Sequence, residues 1–506
     1  MDQVISSAEM RSWEQSNFKA GLADPLELMY IAGNGCAKLF LEYIQQYSNV
    51  ERIVIFSGHG NNGGDGVVIA SYLAEKLDCK IVLALAMELE KQSPASKYYL
   101  EKLHEKVQVM PAEKVVLAPG DIVVDALLGT GCSNVMREPY KSLIDSINRS
   151  NLPVLAVDLP SGLGSDTAIR ADITAVIGGF KDILFSDEGI ECSGLLRLVE
   201  LPLELPPENT ENIFAASLQW FRRNTLPMAR NVHKYQRGNV LVIGGSQEYF
   251  QAPFLTARSA LRSGAGLVRL LVPFAIQPGC GTLSVIPVSV PAANGAFAGG
   301  NIAYVLKYSE KADCIAVGPG LGRNPCTKDF IANLLKLDKP LLLDADALYF
   351  AAQMPELFLH RQAPTVLTPH GGEAQTLARA LNIEIPADRI AFARLLARGY
   401  NSTVLLKGAR TVIAAPDGRV RLNTSGTPAL ATAGSGDVLT GLIAGKMARF
   451  NGNLNDCDAW DSAAYGAFLH GLAGEYAEEQ FGNSGVIADD LPEAAAECCR
   501  RLKFFL

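Results

Sequence analysis

The sequence predicts an α/β protein made of two successive units, each a largely parallel sheet with helices on both faces. Short apolar runs rich in β-branched residues alternate with helical patterns along almost the whole chain, which is typical of buried parallel strands separated by helices. The proline-rich stretch "VELPLELPPENTEN" interrupts this alternation once. The chain has 506 residues, more than one hydrophobic core normally serves, so at least two domains are expected.

The composition narrows the class of protein. Hydrophobic residues make up 48% of the chain and charged residues 19%, as in compact globular proteins. The net charge of −8 argues against nucleic acid as a partner, because such a surface needs a basic patch that displaces counterions. A small phosphate-bearing ligand stays compatible with this charge, since backbone N–H groups bind phosphate without any cation.

The cysteine pattern and the N-terminal segment indicate a cytoplasmic location. Ten cysteines are scattered without a C-x-x-C pair, which favours reduced thiols over a zinc site or a disulfide framework. The segment "MDQVISSAEMRSWEQ" lacks the basic and apolar regions of a signal peptide. No apolar run approaches the roughly 18 residues of a membrane span, so we expect no membrane partner.

In the first unit, three apolar runs end in unusually polar turns. They are "RIVIFSG", which continues into "HGNNGGDG" and a helical pattern, then "DIVVDALLG" and "PVLAVDLPSG". Glycines let the backbone approach a ligand closely, and a helix N-terminus favours anions. Because ligands bind beyond the carboxyl ends of the strands in an open parallel sheet, the three turns are predicted to meet in one crevice.

These turns also carry oxygen ligands. Asn62, Asp125 and Ser161 would suit a hard alkali or alkaline-earth cation. An alternative is that Asp125 and Asp158 cap helices, a frequent role for Asp after a strand. The occurrence of three polar turns together favours a site.

The second unit repeats the α/β alternation after a boundary near Pro206–Asn212, so the predicted domains are residues 1–210 and 220–506. Its strands are predicted within "NVLVIGGS", "GLVRLLVP", "CIAVGPGLG", "KPLLLDADAL", "PTVLTPHGGE" and "STVLLKGA". No fixed-period similarity relates the two units, so they are not interpreted as a repeat.

The stretch "ATAGSGDVLTGLIAG" gives the strongest functional signal. Gly434, Ser435 and Gly436 can turn consecutive N–H groups inward as an anion nest at a helix start. Asp437 follows in the first turn, where it could take a proton from a hydroxyl while the nest stabilises a transferring phosphoryl group. Capping of the helix is the alternative role for Asp437, and also for His370 in "LTPHGGE".

The first 200 residues or so resemble the N-terminal domain of YjeF-type proteins, the NAD(P)H-hydrate epimerases. The resemblance rests on "GNNGGDG", "VDALLGTG" with "REPY", and "AVDLPSGL". It implies a Rossmann-like three-layer domain that interconverts the R and S forms of the hydrated nicotinamide, NAD(P)HX, with Asp158 in proton transfer. It also implies potassium ligands at Asn62, Asp125 and Ser161. The implied substrate-binding residues are Asn61, Asn62, Gly63, Gly64, Asp65, Gly129, Thr130, Gly131, Cys132, Ser133, Asn134, Val135, Tyr140 and Asp158.

Residues 220–506 resemble the ribokinase-like fold, in particular its NAD(P)H-hydrate dehydratase branch. The motifs "HKYQRGNVLVIGGS", "GAGLVR", "GPGLG", "DADAL", "TPHGGE", "KGART" and "AGSGD" occur in order. The family phosphorylates the hydrate's hydroxyl with ADP or ATP, after which phosphate leaves, so the resemblance implies ADP (with ATP as the alternative), Mg²⁺ on its phosphates and Asp437 as the catalytic base. The implied substrate-binding residues are Ala252, Gly320, His370 and Asp437, and the implied nucleotide-binding residues are Lys407, Gly408, Ala409, Arg410, Thr411 and Gly436.

Together the two resemblances predict a bifunctional repair enzyme. It would epimerise R- and S-NAD(P)HX and dehydrate the S form with ADP, yielding AMP and phosphate; NAD(P)HX and an adenine nucleotide are its expected partners, and a homo-oligomer its expected state. The alternatives are a ribokinase-like small-molecule kinase with a non-catalytic, ligand-binding first domain, and a scaffold role for that domain. Three departures from the family pattern affect the expected sites: the short segment after Asp166, the sequence Gln251-Ala252-Pro253, and Tyr349.

Overall fold

The computed structural model describes residues 2–131, 135–225, 230–273, 284–450 and 458–503. These residues form two compact units, Met1–Glu211 and Asn212–Leu506. None of the helices in the described ranges combines the length and the hydropathy that a membrane crossing requires.

The first unit is built on a seven-stranded parallel sheet. Its strands, together with a short separate pair, are β1 (Val4–Ile5), β2 (Arg52–Ser57), β3 (Lys80–Leu85), β4 (Val107–Pro111), β5 (Asp121–Ala126), β6 (Val154–Val157), β7 (Ile173–Ile177), β8 (Phe180–Lys181) and β9 (Leu195–Val199). The order in the sheet is β4-β3-β2-β5-β6-β7-β9, and β1 pairs with β8. The chain runs outward from β2 to β4 and resumes at β5 on the other side of β2. The strand order therefore reverses between β2 and β5, which is where such sheets bind ligands.

Helices cover both faces of this sheet. They are α1 (Ser7–Lys19), α2 (Pro25–Ile44), α3 (Asn61–Lys76), α4 (Pro94–Leu100), α5 (Tyr140–Ser150) and α6 (Asp187–Cys192). One buried cluster joins α2 and α3 to one face of the sheet, and a second joins α5 to the other face. The alternating side chains of the strands fill both clusters, as a sheet buried on two sides requires.

The second unit contains a ten-stranded sheet. Its strands are β10 (Ile213–Ala216), β11 (Asn239–Ile243), β12 (Leu267–Val272), β13 (Ile286–Ser289), β14 (Cys314–Val317), β15 (Leu341–Leu343), β16 (Thr365–Leu367), β17 (Thr403–Leu406), β18 (Val412–Ala414) and β19 (Val420–Asn423). The order is β10-β19-β18-β17-β16-β15-β14-β11-β12-β13. Strand β18 is antiparallel to both of its neighbours, and the other pairings are parallel. Here the order reverses between β11 and β14.

The helices of the second unit complete its layers. They are α7 (Leu218–Arg223), α8 (Ala252–Arg262), α9 (Ile302–Ser309), α10 (Thr327–Leu335), α11 (Asp346–Ala351), α12 (Glu356–Leu359), α13 (Gly371–Ala380), α14 (Arg389–Gly399), α15 (Ser435–Phe450), α16 (Ala459–Phe481) and α17 (Leu491–Lys503). Helix α15 packs closely on α8. A Cβ atom on Gly441 would lie only 2.2 Å from the carbonyl oxygen of Thr256, so only glycine permits this approach. The predicted α/β fold class, with parallel sheets in both units, is confirmed.

Candidate active sites

The three polar turns of the first unit meet at the reversal point of its sheet. A Cβ atom on Gly58, after β2, would lie 1.8 Å from the carbonyl oxygen of Leu127, after β5. The N–H of Leu128 donates to Oγ of Ser161, after β6, at 2.8 Å. The first turn therefore touches the second and the second is hydrogen-bonded to the third, as expected for turns at adjacent strand ends.

Asp125 and Ser161 form the buried floor of this crevice. Oγ of Ser161 donates to Oδ1 of Asp125 at 2.6 Å, and its backbone N–H donates to Oδ2 at 2.7 Å. The carboxyl group is fully buried, and burial raises the pKa of Asp125 to about 6 against the opposing effect of these hydrogen bonds. Asp125 lies inside β5 and no helix starts next to it, so the capping alternative is wrong for this residue.

Asn62 lies in the first turn of α3, beside the second polar turn. A Cβ atom on Gly129 would be 3.5 Å from its Cγ. Its Nδ2 atom is buried and has no hydrogen-bond partner among the described residues, which is costly for an amide. The carboxylate, hydroxyl and amide oxygens of Asp125, Ser161 and Asn62 make a hard donor set that fits a potassium ion. In the described ranges, no three His, Cys, Asp or Glu side chains are grouped to hold a metal ion.

Asp158 lies at the end of β6 in a conformation that few non-glycine residues adopt. Its φ is 65°, which costs free energy and is found mostly where the surroundings fix the backbone. Oδ1 lies 2.5 Å from Nζ of Lys181, whose side chain is 1% exposed, and also accepts from the N–H of Ile177. The capping alternative is wrong for Asp158 as well, because its carboxylate is engaged in a buried ion pair.

The other predicted residues of the first site lie around this crevice. Asn61 is exposed at the start of α3, and Tyr140 is buried at the start of α5, with its hydroxyl 2.6 Å from Nδ1 of His59. The carbonyl oxygen of Thr130 accepts from the guanidinium of Arg11 at 2.6 Å. Cys132, Ser133 and Asn134 lie outside the described residues.

In the second unit, the turns after β11 and β14 meet in the same way. The N–H of Gly245 donates to the carbonyl oxygen of Pro319 at 2.9 Å. Gly320 has a φ of +64°, and a Cβ atom there would lie 2.3 Å from the carbonyl oxygen of Tyr249 and 3.3 Å from Cβ of Ala252. Only glycine fits at position 320, and the structure brings Gly320 and Ala252 together as neighbours.

The cation of the "KGART" loop is held by a buried carboxylate. Nζ of Lys407 lies 2.5 Å from Oδ1 of Asp344, which follows β15. The other oxygen of Asp344 accepts from Oγ1 of Thr440 on α15 at 2.6 Å. A Cβ atom on Gly436 would be 3.4 Å from Nζ of Lys407, so the ammonium group lies beside the predicted anion nest.

Asp437 lies next to this ion pair, in the first turn of α15. Burial is the main cause that raises its pKa to about 7; Asp344 raises it further and Lys407 lowers it. Its carboxylate accepts no hydrogen bond within the part of the chain that the structure describes, so the capping alternative is wrong here. The hydroxyl of Thr256 donates to the carbonyl oxygen of Asp437 at 3.0 Å and fixes the backbone. A carboxyl group that titrates near neutral pH suits a general base.

His370 does cap a helix. Its Nδ1 accepts from the N–H of Gly372 at 3.0 Å, and the carboxylate of Glu373 accepts from the N–H of His370 at 2.9 Å. The imidazole is 63% exposed, and its Nε2 lies 3.5 Å from Oε1 of Glu373. Burial raises the pKa of Glu373, which lies within electrostatic range of Lys407.

The backbone of the "KGART" loop is fixed from the side. The guanidinium of Arg389, the first residue of α14, donates to the carbonyl oxygen of Ala409 at 2.7 Å. Oγ1 of Thr411 donates to the carbonyl oxygen of Gly408 at 2.8 Å. The guanidinium of Arg410 is turned inward to the carbonyl oxygen of Thr424 at 3.0 Å. Arg410 therefore supports the loop with its side chain, and only its backbone is placed to meet a ligand.

Two family models match the chain. Residues 240–496 match the model described as NAD(P)H-hydrate dehydratase, and residues 25–182 match the YjeF-related protein N-terminus. A bifunctional NAD(P)H-hydrate repair enzyme of Moorella thermoacetica is 33% identical over 99% of this chain and 97% of its own length. The chain belongs to this family. Enzymes with the same description from Thermofilum pendens and Salinibacter ruber are each 35% identical, over 94% and 98% of this chain and 92% and 96% of their own lengths.

Solved structures are similar to part of the chain. A ribokinase-like superfamily protein from Enterococcus faecalis is 23% identical, with a TM-score of 0.49, over 58% of this chain and 98% of its own. An ADP/ATP-dependent NAD(P)H-hydrate dehydratase from Bacillus subtilis is 25% identical, with a TM-score of 0.43, over 56% of this chain and 96% of its own.

Membership of the bifunctional NAD(P)H-hydrate repair enzymes confirms the predicted enzyme, which has an epimerase domain and a dehydratase domain. The alternative, a small-molecule kinase with a non-catalytic first domain, is not supported.

Sequence reasoning nevertheless missed several polar residues at the two candidate sites of this repair enzyme. They are Lys181, His59, Asp344, Thr440 and His470, whose Nε2 lies 3.0 Å from Oγ of Ser435. The available signal was a charged or ionisable residue inside an apolar run, as in "GGFKDILF" and "AFLHGLAG", because such residues are rarely buried without a partner.

Proposed function

We propose that Asp437 is the general base of the dehydratase and that Lys407 and the loop Gly434–Gly436 bind the phosphates of ADP. The observation that carries this assignment is the position of the Asp437 carboxyl, whose pKa is raised to about 7 by burial, next to a cation and a glycine-rich helix start. Asp437 takes the proton of the hydrate's hydroxyl as its oxygen attacks the terminal phosphoryl group. The N–H groups and Lys407 stabilise the negative charge that develops.

Phosphorylation makes the subsequent elimination easy. Phosphate is a far better leaving group than hydroxide, and the lone pair of the ring nitrogen expels it from the adjacent carbon. Loss of a proton from the next ring carbon restores the dihydronicotinamide, and the donor nucleotide ends as AMP. Mg²⁺ would neutralise the phosphates of the nucleotide. The described side chains form no cage for it, so it is proposed as a partner of ADP and not as a resident metal.

In the first unit we assign Asp158 as a proton-transfer group of the epimerase and Asn62, Asp125 and Ser161 as potassium ligands. The support is the buried ion pair of Asp158 with Lys181, the fully buried Asp125 carboxyl with its hydrogen bonds from Ser161, and the position of Asn62 beside Gly129 of the second polar turn. Potassium would compensate the charge of the buried carboxylate and bind a substrate oxygen. The side chains of this chain hold the ring in the crevice and move the proton of its hydroxyl.

The phosphoryl donor, the oligomeric state and the location are proposed from the family resemblance and from composition. ADP is proposed as the phosphoryl donor in preference to ATP, and a homo-oligomer as the working state. A cytoplasmic location is supported by the cysteines that the structure describes, which are free thiols.

The experiment follows the return of dihydronicotinamide absorbance from a purified mixture of the two hydrate epimers, with ADP, ATP or no nucleotide. The unmodified protein should restore the whole mixture with ADP. Asp158→Ala should stop at the S fraction after subtraction of spontaneous epimerisation, and Asp437→Asn should restore none. Asp187→Asn and Asp489→Asn change exposed aspartates in the same two units and serve as controls.

Each failure has a separate meaning. If the unmodified protein stops at the S fraction, the dehydratase assignment stands and the epimerase assignment falls. If neither nucleotide restores absorbance, the assignment of Asp437 and Lys407 to an ADP-dependent dehydration falls.

A further inference from the structure

We propose that Glu14, on α1, is a catalytic acid–base residue of the epimerase that works with Asp158 on the hydroxyl of the hydrate. The inference rests on the proposed epimerase function and deepens it. Helix α1 precedes residues 25–182, the part of the chain that matches the family model for this domain, and none of its residues was predicted as a site residue.

Helix α1 is fixed against the substrate crevice. Arg11 donates to the carbonyl oxygen of Thr130, in the loop predicted to contact the substrate, at 2.6 Å. On its other side, Trp13 and Asn17 donate to the carbonyl oxygen of Glu204, at 2.6 and 2.7 Å. Glu14 lies three residues after Arg11, on the same face of the helix. The helix therefore presents Glu14 next to the loop that Arg11 binds.

Glu14 is half-buried and unpaired. Within the described part of the chain, its carboxyl group accepts no hydrogen bond and forms no ion pair. Burial raises the pKa of Glu14 to about 7; Asp158 raises it further, while Lys181 and Arg11 lower it. The groups that act on Glu14 thus come from the turn after β6, from β8 and from its own helix. A carboxyl group in such surroundings holds a proton at neutral pH and can release it.

Asp65 is a second observation that points to a ligand here. Only 8% of this residue is exposed, and its carboxyl group has no partner among the residues that the structure describes. Burial raises the pKa of Asp65 well above its usual range, and Asp158 and Glu14 add to the effect. Three carboxyl groups near one ammonium, that of Lys181, cannot all be ionised cheaply, so the cluster retains a proton.

This cluster faces the same crevice as the proposed potassium ligands. Asp65 follows Asn62 by three residues on α3, and Asp158 precedes Ser161 by three residues in the turn after β6. Residues three apart on a helix share a face, so Asp65 lies on the Asn62 side of α3, and Asp158 belongs to the same turn as Ser161. The cluster of Glu14, Asp65 and Asp158 therefore lies along the crevice where the hydrated ring is expected to bind.

The proposed step balances without a co-reactant. The Glu14 carboxyl gives its proton to the hydroxyl as the carbon–oxygen bond breaks, the ring nitrogen supplies the electron pair that forms a nitrogen–carbon double bond, and water leaves. A water molecule then adds to the opposite face, the electron pair returns to nitrogen, and the proton of the added water passes to the Asp158 carboxylate. The two carboxyl groups exchange roles in the reverse direction, and protons equilibrate with solvent. No atom is oxidised or reduced.

The test is Glu14→Gln in the full-length protein, with separate R and S hydrates as substrates and ADP present. Consumption of the R hydrate should fall about 100-fold, which is the rate loss expected when a general acid is removed, while dehydration of the S hydrate stays unchanged.

In the unmodified protein the rate of R-hydrate consumption should fall as the pH rises above about 7, where Glu14 loses its proton. This decrease at high pH should be absent in Glu14→Gln. Glu14→Asp should restore part of the rate. Glu27→Gln, at an exposed position on α2, is the matched control.

Three results would overturn the inference. An R rate within threefold of the unmodified protein removes Glu14 from the reaction and leaves the epimerase assignment standing. A raised KM with an unchanged kcat and pH profile shows that Glu14 only helps to bind substrate. No R conversion by the unmodified protein removes the epimerase assignment, and the role of Glu14 falls with it. Thermal unfolding of each variant separates these results from misfolding.

Discussion

Lys407 and Asp344 form a buried ion pair that controls the charge next to Asp437. Their Nζ and Oδ1 atoms are 2.5 Å apart, and their side chains are 20% and 2% exposed. The two partners act in opposite directions on the pKa of Asp437, since Asp344 raises it and Lys407 lowers it. Burial is the main cause that raises the pKa of Asp437 to about 7, and the two partners of the ion pair adjust it in opposite directions.

Substitutions in this pair should shift the acidic limb of dehydratase activity in opposite directions. A general base must be ionised, so kcat/KM for the S hydrate should rise with pH through about 7. Asp344→Asn removes the negative neighbour, which lowers the pKa of Asp437 and moves the limb to lower pH. Lys407→Gln removes the positive neighbour and moves it to higher pH. The measurement is kcat/KM from pH 5 to 9 for both variants, and shifts in the same direction would contradict the role of Asp437 as base.

Many residues of both candidate sites could be proposed from the sequence because the signal was local. Asp437, Lys407, Asn62, Asp125 and Ser161 all follow or precede glycine-rich turns at strand ends, where the topology of a parallel sheet gathers side chains.

The residues that were missed depend on long-range pairing. Lys181 enters the first site through its ion pair with Asp158, 23 residues earlier in the chain, a contact that no local pattern encodes. In "DADAL", two aspartates are equivalent in sequence; Asp344 turns to Lys407, whereas Asp346 pairs with Arg323 at 2.9 Å. The edge of the second sheet was missed for the same reason, because β10 is placed by its pairing with β19, about 200 residues later.

Gly318→Ala should impair the dehydratase through the backbone of Asp344. Gly318 has a φ of +131°, and an added Cβ atom would lie 1.8 Å from the carbonyl oxygen of Asp344. The backbone must move, which displaces the ion pair, and the strained conformation itself costs about 1–3 kcal/mol. We expect at least a tenfold loss in S-hydrate turnover with unchanged R-to-S conversion. Gly300→Ala, where a Cβ atom meets open space, should have no effect, and equal losses in both variants would contradict this account.

His470 should make the protein sensitive to acid. Burial, and to a smaller extent Lys407, lower the pKa of His470 from 6.5 to about 4 in the folded state. The stability that comes from keeping the imidazole neutral is fully present above pH 6.5 and is lost as the pH falls from 6.5 towards 4. His470→Gln keeps a polar group near Ser435 but removes this titration. The free energy of unfolding should therefore fall less between pH 7 and 4 in the variant, by up to about 3 kcal/mol.

The measurement is denaturant unfolding of both proteins at each pH, with His360→Gln at an exposed position as the control. An equal fall in His470→Gln and in the unmodified protein would show that the imidazole is not what titrates.

Potassium should stabilise the unmodified protein and depend on Asp125 and Asn62 to do so. The carboxylate of Asp125 is fully buried, so a cation bound by its oxygens and by the amide oxygen of Asn62 would relieve the cost of that buried charge. A ligand that binds only the folded state raises its stability with the logarithm of ligand concentration. The midpoint of thermal unfolding and R-hydrate turnover should therefore both rise with KCl at constant ionic strength, held with choline chloride.

LiCl should replace KCl poorly, because the smaller ion holds its hydration shell more tightly. Asp125→Asn and Asn62→Ala should abolish the dependence while S-hydrate turnover is kept, and a KCl effect of equal size in both variants would show that the cation binds elsewhere.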